Sequence, residues 1–197
     1  MIEAYPQHTW LPWLFKSGPV WINDAKYQRL YMDWLGKIIG VQNLDDWYKV
    51  TWNDFKRNKG SGLLAKFSNS PSQVVMSVYS HHPWKPWRFV AVPHNYWSEL
   101  HQKALSGNVE ALSMLQSFLE DVAQINGFHV LQIDKWYETT SASLPYSVAY
   151  ALNHFGGLFG ALRLAFPHLD LVKYSAKVDI QKQLMKQVSE VIPYEQS

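Results

Sequence analysis

The sequence predicts an all-α fold: two tandem multi-helix repeat units with extended Trp/Pro-rich linking arms and a C-terminal capping helix. Three observations predict it. Apolar residues recur at helical spacing, most regularly at Leu112, Leu115, Phe118, Leu119, Val122 and Ile125. Period-two alternation is nearly absent, and Phe128 to Leu131 is the one candidate strand. An aromatic motif also occurs twice, as Tyr5-Pro6-Gln7-His8-Thr9-Trp10-Leu11-Pro12-Trp13-Leu14-Phe15 and as Tyr79-Ser80-His81-His82-Pro83-Trp84-Lys85-Pro86-Trp87-Arg88-Phe89. Tyr, His, Trp, Pro, Trp and Phe match in register 74 residues apart (His82 against His8). A fixed period is the mark of repeat architecture.

In order, residues 1–24 read as an extended arm, because Pro6, Pro12 and Pro19 each remove a donor and disfavour helix before them. Its rings are either aromatic cover for a small core or a stacking platform. Asn23 or Asp24 can cap a first helix, whose apolar face runs through Tyr27, Leu30, Tyr31, Trp34, Leu35 and Ile38 to a stop at Gly40. Leu44-Asp45-Asp46-Trp47-Tyr48 opens a short helix with acidic residues where the dipole favours them. Thr51 caps another. A short helix from Leu63 to Phe67 follows, and Ser70-Pro71-Ser72 starts one that buries Val74, Val75 and Val78.

The second unit predicts a helical turn at Trp97 to His101, a break at Ser106-Gly107-Asn108 and a long helix from Val109 to Asn126 ended by Gly127. Ile133 to Glu138 forms a short helix. Ser143-Leu144-Pro145 begins one reaching His154, and Leu158 to Phe166 closes the unit. Phe166-Pro167-His168 restarts the pattern with Leu171 and Tyr174 at the anchor-tryptophan positions, and a last helix runs from about Ala176 to Val191. The expected divisions are 1–79, 80–166 and a degenerate capping unit 167–197. Trp34, Trp47, Leu64, Leu115, Phe118, Trp136 and Leu162 are the expected core.

Composition narrows the function. The chain has 197 residues, 47% apolar and 17% charged, so it can build a core and is not a disordered polyelectrolyte. No apolar run suits a membrane span and Met1-Ile2-Glu3-Ala4 does not begin a secretory signal. With no cysteine, disulfides, thiolate nucleophiles and the common structural zinc sites are excluded. An intracellular protein, nuclear or cytoplasmic, is expected. His81, His82, His94 and His101 lack local carboxylates, so no metal is expected, and structural roles suit His8 and His82. No G-x-S-x-G, P-loop or dinucleotide fingerprint is present, so neither enzyme activity nor a cofactor is expected.

Lys56-Arg57-Asn58-Lys59-Gly60-Ser61-Gly62 is the densest basic stretch. It is either a solvated loop or a phosphate contact, in which small residues let an anion approach backbone amides. Lys85 and Arg88 flank the second anchor.

One order of elements resembles a known family. A helix ending at Gly127, a short helix with Trp136-Tyr137, a third helix, then His154-Phe155-Gly156-Gly157-Leu158-Phe159-Gly160-Ala161-Leu162 is similar to the repeats that accompany homing endonucleases. The likeness covers about residues 112–166 and, more faintly, 27–79; Gly157 stands where that family favours Ser, and the Trp-Pro-Trp arm is foreign to it. The units also resemble Trp-rich Asp-Trp-Tyr-x-Val-Thr repeats of lower eukaryotes, here Asp46-Trp47-Tyr48-Lys49-Val50-Thr51. The first resemblance implies a helix-turn-helix-like module that sets a helix in the major groove. The expected function is non-enzymatic nucleic-acid binding, DNA ahead of RNA, through Lys56, Arg57, Lys59, Lys85 and Arg88. The alternative is a protein-interaction or structural module using exposed aromatics. The chain's pI near 8.6 lies below the value above 9 usual for dedicated DNA-binding domains.

Overall fold

The computed structural model describes residues 11–14, 19–139, 143–169 and 171. All regular structure among them is helical, as expected. The nine α-helices so described are α1 (Ala25–Ile39), α2 (Trp52–Arg57), α3 (Ser61–Lys66), α4 (Pro71–Val78), α5 (Tyr96–Leu105), α6 (Val109–Ile125), α7 (Ile133–Glu138), α8 (Tyr146–Asn153) and α9 (Leu158–Ala165). Pro12–Leu14, Pro19–Asn23, Leu44–Lys49 and Pro86–Arg88 are 3-10 turns. The arm is therefore not extended where it is described. Proline presets the φ of a turn's first position, so each of three prolines opens a 3-10 turn instead. Phe128 to Leu131 forms turns and no strand, and the expected helix from Ala176 lies outside the described residues.

The chain forms two compact units, Met1–Tyr96 and Trp97–Ser197. The sequence repeats and the compact units divide the chain differently: the second anchor packs inside the first unit, with Trp84 and Phe89 in its core.

In the first unit, the Asp24 carboxylate caps α1 by accepting from the amides of Lys26 and Tyr27. The helix buries Tyr31, Met32 and Leu35. Trp13, Trp21 and Trp34 gather on the Tyr31 ring at 5.1–5.8 Å between centroids. Trp34 stays half-exposed; the rest of the expected core, from Trp47 to Leu162, is buried. In the second unit α6 buries Leu115, Phe118, Leu119 and Val122 against α9. Ile125 is 76% exposed and does not share that face. Val78 and Leu112 are half-buried.

Matching features of the two units recur at a fixed spacing. Helices α4 and α9 begin and end 87 residues apart (Leu158 against Pro71, Ala165 against Val78). Gly40 and Gly127 both end a long helix in the left-handed region, at φ 84° and 79°, where glycine carries no Cβ penalty. The next amides, of Val41 and Phe128, return to Gly36 and Ala123 at 2.8 and 3.1 Å. The turns after the closing helices also match. His82 donates to the Tyr79 carbonyl and Trp84 to that of His82; Leu169 donates to Phe166 and Leu171 to Leu169. The anchors themselves stand 74 residues apart, with Pro12–Leu14 and Pro86–Arg88 in the same 3-10 conformation. The shortfall of 13 (87 less 74) equals the length of α5 with its Ser106-Gly107-Asn108 turn.

Burial sets a pH limit on the first unit. Desolvation pushes the hydroxyls of Tyr31 and Tyr96 well above the usual tyrosine range; for Tyr79 desolvation leads and the hydrogen bond to Asp33 adds to it. The fold thus favours the protonated form. Its stability is fully present below the ordinary tyrosine pKa of about 10 and is lost as pH rises past it, because the unfolded chain releases these protons first. The urea midpoint should fall between pH 8 and pH 11, and Tyr79→Phe should reduce that fall.

Candidate functional site

The basic stretch is built on α2. Thr51 and Asp54 form a reciprocal cap: the Asp54 amide donates to Thr51 Oγ1 and the Thr51 amide to Asp54 Oδ2. Phe55 is fully buried beside Tyr31. With Phe55 inward, Trp52 and Lys56, one turn apart, share the outer surface. Trp52 is 41% exposed and the Lys56 ammonium lies 4.7 Å from the centre of its ring. Arg57 and Lys59 are exposed at the helix end, with Lys59 in a left-handed conformation (φ 64°).

The glycines after this stretch do not serve an anion. The Gly60 amide already donates to Phe55 O at 2.8 Å, and a Cβ there would collide with the Tyr31 hydroxyl. A Cβ at Gly62 would press on Ile22. Both are small because the core approaches them, which corrects the expected opening for a phosphate.

Lys85 and Arg88 lie on a separate element, the 3-10 turn after α4 and its leading residue. The Lys85 amide donates to the Tyr48 hydroxyl at 2.9 Å, and its ammonium sits 5.8 Å from the Trp87 centroid. Arg88 is exposed. The common feature of the two groups is thus a lysine over an indole. His82 also has a defined role: its Nε2 meets the Asp45 carboxylate at 3.2 Å and its ring lies 4.2 Å from Trp84.

Charge is divided between the units. Residues 1–96 hold eleven Lys and Arg against six Asp and Glu, a net of +5; residues 97–197 hold seven against ten, a net of −3. The overall +2 hides this contrast.

A second feature is a pair of shallow cavities, one per unit, of about 480 and 630 Å³. Their walls correspond at the 87-residue spacing: Asp33 with Glu120, Lys37 with Gln124, Val41 with Phe128, Gln42 with His129, Leu44 with Leu131 and Tyr79 with Phe166. Each lies beside the glycine turn, between the long helix and the residue after the closing helix. Exposed aliphatics recur there too, Ile38 with Ile125 and Leu44 with Leu131.

The cavities differ in one side chain. In the first unit Arg29 pairs with Asp33 (Nε to Oδ1 3.0 Å, to Oδ2 3.2 Å) and its guanidinium lies 4.3 Å from the centre of the Tyr79 ring. The Tyr79 hydroxyl donates to the same carboxylate at 3.0 Å. The matching residue in the second unit is Gln116, whose amide turns away to donate to the Ala165 carbonyl at 2.7 Å. Among the described residues no cation pairs with Glu120. Sequence reasoning missed these cavities. Carrying the Gly40–Gly127 match back along both helices exposes them.

No protein-family model matches the chain, and no curated protein or solved structure is significantly similar to it.

Proposed function

We propose that the protein is a nucleic-acid-binding module, not an enzyme, whose contact is the Lys56, Arg57 and Lys59 end of α2 with the exposed Trp52 ring. The observation that carries this reading is the lysine held over a solvent-facing indole at the edge of a unit of net charge +5. Cations beside an exposed ring offer both halves of a nucleic-acid contact: phosphate neutralisation and a surface for a base. Lys85 and Arg88, with the Trp87 ring, repeat the combination on a second element. The likeness to homing-endonuclease-associated repeats favours DNA over RNA. The exposed ring favours a strand with accessible bases over a closed duplex.

Affinity for random single-stranded DNA, duplex DNA and RNA at two salt concentrations tests it. Binding should weaken with a log–log slope of roughly −0.7 per phosphate on single strands and −0.9 on duplex. Lys56, Arg57 and Lys59 changed together to alanine should flatten that slope by about 2 units and leave stability within ~0.5 kcal/mol. Trp52→Ala should cost about 1–3 kcal/mol of binding at unchanged slope. Undetectable binding of the intact protein at low salt would overturn the reading in favour of a protein-interaction module, which the paired cavities favour independently.

A further inference from the structure

We infer that the cavity of the second unit is a docking site for an arginine side chain presented by a basic peptide segment of a partner protein. The first unit supplies the template. There a guanidinium is held between a carboxylate and an aromatic face, Arg29 between Asp33 and Tyr79. The second unit keeps the carboxylate as Glu120, the ring as Phe166 and the cavity between them, now the larger of the two. It lacks the cation, because the arginine position holds Gln116 and that amide is engaged by Ala165. The place that the first unit fills from within, the second leaves to be filled from outside.

Charge and shape select the occupant. The donor fork of a guanidinium matches a carboxylate, and its flat face suits an aromatic ring. The second unit carries a net −3, which draws a basic segment rather than an acidic one. Leu131, 48% exposed on the cavity wall, offers the aliphatic stem an apolar side. This inference does not rest on the nucleic-acid reading, whose residues lie in the other unit.

The test is an NMR titration of the full chain with acetyl-Ser-Gly-Arg-Gly-Ser-amide and with its lysine counterpart, observing the Phe166 ring and Glu120. The arginine peptide should shift both signals and bind more tightly than the lysine peptide. Glu120→Gln should weaken it by roughly ten- to hundredfold, the range for losing a charge-assisted contact. Gln116→Arg should abolish it, since the introduced guanidinium then occupies the cavity, with the melting temperature kept or raised as the folding control. Arg29→Gln should open a second site and double the stoichiometry. Equal binding of both peptides, or an arginine response that ignores Glu120→Gln, overturns the assignment. A dimer in sedimentation that Glu120→Gln dissolves would also overturn it, by giving the cavity to a second copy of the chain.

Discussion

Trp136→Ala should cost about 3–5 kcal/mol, the usual loss on deleting a large buried ring. Trp136 has no exposed surface, and the Phe128 ring stands edge-on to it at 4.8 Å. Its indole N–H donates to the Val130 carbonyl at 2.7 Å, fixing the loop between α6 and α7. Alanine would leave both a cavity and a carbonyl without its donor. A domain holds about 5–15 kcal/mol in total, so the second unit would sit near its folding limit. Trp136→Phe separates the two losses: it retains most of the apolar volume and should cost less than half as much. Trp47→Ala should act alike in the first unit, where Trp47 is buried and its edge lies 3.1 Å from where a Gly36 Cβ would stand. Urea unfolding of each variant decides, and an unchanged midpoint for either alanine variant would contradict the packing described.

Gly160→Ala should be the most damaging glycine substitution in the second unit. A Cβ at Gly160 would collide with the Phe155 carbonyl oxygen. Overpacking costs about 1–3 kcal/mol where side chains can yield. Here the obstacle is backbone at the end of α8, so the loss should reach or exceed the top of that range. Gly156→Ala makes the contrast. Nothing lies within 4 Å of its Cβ position, and the penalty comes from its φ of 76° alone. About 1–2 kcal/mol is expected for an L-residue held left-handed. Thermal unfolding should rank the variants in that order, and the reverse would mean that the α8–α9 turn relaxes freely.

Element types are readable from the sequence because caps and apolar spacing act locally. Asp24, Thr51, Ser70 and Asn108 each cap the helix they precede. The arm's conformation is not, because proline is compatible with both an extended chain and the first position of a 3-10 turn. Trp13 packing against Tyr31 makes the choice, a contact across 18 residues (Tyr31 against Trp13). Ile125 departs from the expected face because it sits at the end of α6, where helical spacing no longer meets a partner. For the candidate site, the cations of α2 are legible as a run of charge. Their pairing with Trp52 is not, since it depends on Phe55 turning the helix inward. Gly60 and Gly62 look like an anion cradle because sequence does not distinguish a glycine kept small for a ligand from one kept small for Tyr31 or Ile22.

The closing helices α4 and α9 hand the chain on through the same hydrogen-bonded bend. Each unit therefore ends with a standard coupling, one that is indifferent to the segment beyond it. Such a chain can lengthen by copying: an 87-residue segment duplicated in the gene and spliced after Leu171 would begin from a backbone direction already compatible with its own first residues. The α5 insertion, absent from the first unit, marks where a copy can also vary in length while that coupling stays intact.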